Sequence, residues 1–145
     1  MNIKLKKIAD DVKIPTKAHS TDACFDIYAY SPGWEIILDP GQTRPIRTGF
    51  VTEIPTGYYA AIYARSGLGI KQGLRPANCV GIIDSDYRGE WIVALHNDSE
   101  SERIISHGDR IAQFIINEVI PCEIIEEQNL SETARGSGGF GSSGK

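Results

Sequence analysis

The sequence predicts an all-β domain, a sandwich or jelly roll of many short strands. Three observations point there. Apolar runs are only about 5–9 residues long, Gly, Pro, Asn and Asp punctuate them, and no segment carries an amphipathic helical stripe of about 12 residues or more. In chain order, "DACFDIYA" (22–29) is a strand-like run holding one carboxylate, and "WEIILDP" (34–40) and "TRPIRTGFVTEIP" (43–55) are strand-forming, with a "DPG" turn at 39–41. "IPTGY" (54–58) turns into the apolar "GYYAAIYAR" (57–65), and "GLGIKQGLRP" (67–76) has room for one helical turn. "NCVGIIDSDYRGEW" (78–91) reads as a β-hairpin with carboxylates at its rim, and "EWIVALHN" (90–97) continues as a strand. "ERIISHGDRIAQFIINEVI" (102–120) carries strand runs around a "SHGDR" turn at 106–110.

The last folded element is expected to end near Ile125, followed by the polar connector "EEQNLSETA". This makes residues 1–134 one domain and 135–145, "RGSGGFGSSGK", a flexible arm holding five of the chain's 15 glycines. Eleven residues reach at most ~36 Å, so the arm can cover a distant site on its own or a neighbouring subunit. A plain linker gains nothing from the arginine and phenylalanine in it.

A chain of 145 residues suits a single core, and 41% hydrophobic with 23% charged residues is ordinary for a globular protein. No apolar run approaches the ~20 residues of a membrane span, and the N-terminus does not read as a signal peptide, so no membrane partner and a cytoplasmic address are expected. A net charge of −4 argues against a general nucleic-acid binder but permits a small polyanion. Cys24, Cys79 and Cys122 are widely spaced, with no Cys-x-x-Cys, and are read as reduced core thiols.

Several groups could carry chemistry. Arg65, Ser66 and Gly67 follow an apolar strand, where a turn can aim a guanidinium, a hydroxyl and a bare N–H at one anion, or simply present a surface arginine. Asp84 follows Ile82-Ile83 directly, which sets a carboxylate at the edge of buried structure, a place for a general base or merely a hairpin rim. Period-2 reading puts Asp109, Ile111, Gln113 and Ile115 on one face, where the Gln113 amide needs a partner, such as a backbone group. Asp26 inside its apolar run calls for a cation or a metal.

Taken in order, "ACFDIYA", "YARSGLG", "NCVGIIDSDYRGEW", "GDRIAQFI" and "RGSGGFGSSG" resemble the five motifs of the homotrimeric deoxyuridine triphosphatases, over residues 23 to 144. The resemblance implies a jelly roll or distorted barrel, three of which form a trimer whose active sites each draw on all three chains. It implies hydrolysis of dUTP to dUMP and pyrophosphate with Mg2+, which limits uracil incorporation into DNA and supplies dUMP for thymidylate synthesis. Asp26 matches the carboxylate that holds waters on the Mg2+, while Arg65, Ser66, Gly67 and Gln113 match the phosphate grip. Asn78 and the backbone of Gly81, Ile82, Ile83 and Ile92 match the groups that read the uracil edge. Tyr87 matches the ring against the deoxyribose, and Asp84 the base that activates water toward the α-phosphorus. In the arm, Phe140 would stack on uracil while Arg135, Gly141, Ser142 and Ser143 hold the γ-phosphate.

The chain departs from the family pattern in its first motif, where Cys24 and Phe25 stand in place of glycine and tyrosine and remove a glycine's backbone freedom; Ser143 replaces a frequent threonine. Two rivals remain: the related dCTP deaminase branch, and a protein-binding regulatory role on the same scaffold.

Overall fold

The computed structural model describes residues 1–139. Among them run β1 (Lys4–Lys7), β2 (Phe25–Tyr28), β3 (Ile36–Leu38), β4 (Thr43–Arg47), β5 (Phe50–Glu53), β6 (Tyr58–Tyr63), α1 (Ser66–Gln72), β7 (Leu74–Pro76), β8 (Gly81–Ile83), β9 (Ile92–Asn97), β10 (Arg103–Ile105) and β11 (Arg110–Glu118). The strands pair antiparallel in ladders of order β2-β11-β6-β8, β4-β9-β7, β1-β5 and β10-β3. This is the predicted all-β jelly roll, although the four ladders do not close into a barrel. No helix among the described residues is long and apolar enough to cross a membrane.

Ile27, Leu38, Ile46, Phe50, Leu74, Trp91, Leu95 and Ile111 form the buried centre. Trp91, just before β9, packs between β5 and β11, its ring 5.2 Å from that of Phe50 and 5.0 Å from that of Phe114, and its indole N–H donates to Thr52 Oγ1 at 3.0 Å. Buried Asn97 is equally well matched: its amide donates to the carbonyls of Leu38 and Ser101, and its oxygen accepts from Ser99. Such pairing is what makes a buried amide tolerable. The three-stranded sheet ends in Pro45 on β4 and Pro76 on β7, residues that suit edge strands because they donate no backbone N–H.

Several expectations need correction. The helical segment is longer than one turn: α1 spans seven residues and ends at Gly73 in the left-handed region, φ 67°. The stretch from Asn78 to Trp91 is no paired hairpin, because β8 pairs with β6 whereas β9 pairs with β4 and β7. The last strand ends at Glu118, well before Ile125. Beyond it the apolar side chains of Ile120, Ile124, Ile125 and Leu130 are exposed. In β11 a register shift between Arg110 and Ala112 breaks strict alternation. Ile111 therefore joins Ala112 and Phe114 in the core and does not share a face with Gln113. Finally, the cysteines are free but not core residues: Cys79 and Cys122 are exposed and Cys24 is half-buried.

Candidate active site

The central strand β11 builds one half of the site. Gln113 pairs with Asp26 of β2 on one side and with Tyr63 of β6 on the other. The chain leaving β6 then carries Arg65 to the same end of the sheet. Arg65 Nε donates to Asp26 Oδ1 at 2.7 Å, and Arg110 Nη1 donates to Oδ2 at 3.4 Å. The Gln113 amide donates to the Ala64 carbonyl at 3.0 Å, which fixes the residue before Arg65. Asp26 thus meets cations and Gln113 a backbone carbonyl, the plain alternatives that their residue types allowed.

These residues line a pocket of about 360 Å3 together with Asp22, Ala23 and Cys24. The backbone around Cys24 adapts without glycine, since Cys79 is the non-glycine residue with positive φ among the described residues. Ser66 and Gly67 open α1 nearby. A helix leaves its first N–H groups without intrahelical partners, so both point donors outward beside Arg65. Among the described residues a Cβ placed on Gly67 would meet nothing within 4 Å. Two arginines, one amide, one hydroxyl and free N–H groups suit a phosphorylated ligand.

The second half lies on β8 and the loop after it. Asn78 is exposed in the turn before β8, where its carbonyl accepts from Val80 N at 2.7 Å. Gly81 pairs with Ile62 and Ile83 with Ala60. Asp84 is exposed and directly follows Ile83, which packs half-buried against the core, so the carboxylate stands at the edge of buried structure as its position suggested. Val80, Ile82, Tyr87 and Ile92 also leave large parts of their side chains in solvent. Apolar surface beside open backbone groups suits a flat heteroaromatic base.

Within one chain the pairing register sets Asp84 far from Arg65. Ile83 lies opposite Ala60, which sets Asp84 level with Tyr59, whereas Arg65 follows Tyr63 at the other end of β6. Six residues of extended chain separate these levels by roughly 20 Å. Arg135 is described and donates to the Gly138 carbonyl at 2.8 Å, within its own turn. Phe140, Gly141, Ser142 and Ser143 lie outside the described residues. Arg110 was not singled out from sequence; the signal was its place in "GDRIAQFI", and in the fold it pairs with Tyr28, two residues along β2 from Asp26.

An all-β fold with an arginine-bearing pocket at one sheet end and an exposed apolar loop at the other suits a nucleotide as ligand. The chain belongs to the dUTPase family, whose model matches residues 10–144. It is 43% identical over 145 residues to the deoxyuridine 5'-triphosphate nucleotidohydrolase of Nautilia profundicola, covering 100% of each chain. It is 39% identical to the protein of that name from Clostridioides difficile, covering 99% and 98%. Among solved structures, the dUTPase of Staphylococcus bacteriophage 80alpha with dUPNHPP superposes with a TM-score of 0.88 at 27% identity, covering 99% of each chain.

Proposed function

We propose that this chain is a dUTP diphosphatase, hydrolysing dUTP to dUMP and pyrophosphate by attack of water on the α-phosphorus. The observation that carries the reading is the pocket where Arg65, Arg110 and Gln113 surround Asp26 in a chain of the dUTPase family. Arg65, Gln113 and the N–H groups of Ser66 and Gly67 grip the phosphate chain. Asn78 and the backbone of Gly81, Ile82, Ile83 and Ile92 read uracil, rejecting cytosine because its amino group would face a donor and leave buried groups unpaired. Tyr87 closes the sugar pocket against a 2′-hydroxyl. Asp84 accepts the proton of the attacking water, a role that needs it within one hydrogen bond of that water.

A general base roughly 20 Å along β6 from the phosphate grip cannot serve the same substrate molecule. That separation favours a site assembled between copies, with Asp84 of one copy facing Arg65 of another, and the family resemblance implies that the assembly is a homotrimer. The arm 135–145 closes over bound nucleotide, Phe140 on the base and Arg135, Gly141, Ser142 and Ser143 on the γ-phosphate, which excludes water and strengthens the electrostatics of the site.

Mg2+ fits the donor set in one manner. Among the described residues no three His, Cys, Asp or Glu side chains converge, so a protein cage is not offered. Magnesium commonly keeps several waters and is held by one or two carboxylates plus substrate phosphates, and Asp26 in an anion-accepting pocket matches that pattern. When bound it supplies charge neutralisation on the phosphates. Positioning and charge stabilisation then account for most of the catalysis, since phosphoryl transfer asks little covalent chemistry of the protein.

Pyrophosphate release measured with Mg2+ from dUTP, dCTP, dTTP and UTP in parallel tests the reading. Release from dUTP alone is expected. Deamination of dCTP would move the chain to the deaminase branch, and dUTP binding without release would leave a regulatory role as the better account.

A further inference from the structure

We infer that Gly89 and Glu90 are positioning residues for Tyr87, and that they set the discrimination between deoxyribose and ribose. The inference rests on Tyr87 being the ring that faces the sugar. Tyr87 is folded back on the chain that follows it. A Cβ added at Gly89 would fall on the Tyr87 hydroxyl and come within 2.5 Å of its Cζ and 2.9 Å of its Cε2. The ring therefore occupies the space that any side chain at position 89 would fill. Gly89 has no positive φ, so the glycine is required for this approach and not for its backbone angles. The Tyr87 hydroxyl donates to the Glu90 carbonyl at 3.0 Å, which fixes the far end of the ring.

Glu90 is in turn tied to the body of the domain. Its Oε1 accepts from Gly49 N at 2.8 Å, and its Oε2 accepts from Arg47 Nε at 3.0 Å. Gly49 itself cannot shift freely: φ is 77°, and a Cβ there would approach Val12 Cγ2 to 2.5 Å and Tyr30 Cγ to 2.9 Å. The ring is thus seated on Gly89, tethered to Glu90, and referenced through Glu90 to the turn between β4 and β5. With 43% of the residue exposed, the ring keeps open surface for a ligand. A wall that must exclude a single hydroxyl has to be held to a fraction of an ångström, because misplacement by about 1 Å can cost 100-fold in rate.

The test compares kcat/KM for dUTP and UTP in wild type, Gly89→Ala, Tyr87→Ala and the double variant. Gly89→Ala is expected to keep its melting temperature and to lower the dUTP-to-UTP preference by at least about tenfold. In the Tyr87→Ala background, adding Gly89→Ala is expected to change the preference no further, since the residue it displaces is gone. A Gly89→Ala variant as selective as wild type overturns the inference, as does an additive effect in the double variant. Wild type that hydrolyses no dUTP overturns the functional reading and this inference with it, whereas a selective wild type beside an equally selective Gly89→Ala variant overturns the inference alone.

Discussion

The pocket around Asp26 and the loop around Asp84 stand at opposite ends of β6 and are held in opposite ways. At the first, side chains hold one another: Arg65 and Arg110 both reach the Asp26 carboxylate, and Gln113 locks the residue before Arg65. At the second, backbone does most of the holding. Tyr87 N donates to the Asp84 carbonyl at 3.2 Å, Arg88 donates to the Ser85 carbonyl at 2.7 Å, and Asp84 itself is left exposed. The contrast teaches a division of labour. In the proposed function, the arginines meant for phosphate are kept paired on the largely buried Asp26 until it arrives, since a buried carboxylate left without a cation is costly. Asp84, the base of the proposed mechanism, has to stay free for water and needs no such partner.

Mixing two variants offers the largest effect and tests whether the two regions belong to different copies. Arg65→Ala and Asp84→Asn should each be nearly inactive. After refolding together in equal amounts, random assembly should restore roughly a quarter of wild-type activity if each site takes Arg65 from one copy and Asp84 from another. No recovery would mean that one chain supplies both.

Taken singly, Asp84→Asn should keep nucleotide binding and lose at least ~100-fold in kcat, the low end for a general base. Near-normal turnover would remove Asp84 from the mechanism. Deleting residues 135–145 should lower turnover while leaving the melting temperature unchanged, because the arm's proposed contacts are with nucleotide; unchanged turnover would detach the arm from the site.

Gly67→Ala sharpens the pocket's side of the contrast. Nothing among the described residues contacts the added Cβ, and alanine is favoured over glycine in a helix by about 0.5–1 kcal/mol. The melting temperature should hold or rise while KM for dUTP increases. A KM left unchanged would show that phosphate does not approach the Gly67 N–H.

The smallest effect concerns neither region and serves as their control. Lys4 donates to Glu53 at 2.8 Å across β1 and β5, and this hydrogen bond, with the lysine charge, holds the Glu53 carboxyl below its ordinary value of 4.5. A lowered folded value means that the pair stabilises above 4.5 and stops doing so as pH falls through the depressed value. Both groups are exposed, so Lys4→Gln should lower the melting temperature only slightly at neutral pH, less so in high salt, and not at all in strong acid. Activity should not change.

How much could be read in advance varied with the range of the interactions. The turns at Gly41, Gly57 and Gly108 were legible because each takes a positive φ that glycine adopts freely. The apolar strands were legible from their runs, whereas β1, "KLKK", is exposed along its whole length and shows no apolar pattern. Of the site, the residue types of Asp26 and Gln113 announced that each needed a polar partner, but not which one.

The sequence by itself determined the all-β class, the turn positions and the order of the five motifs, because short apolar runs and glycine chemistry act over a few residues. Only the tertiary structure decided that Asp26 meets both Arg65 and Arg110, that β8 and β9 part into different sheets, and that Tyr87 rests on Gly89. The physical reason lies in strand register. Side chains 39 and 84 positions apart meet when β2, β6 and β11 pair in one alignment, and a one-residue slip would turn every one of them to the opposite face.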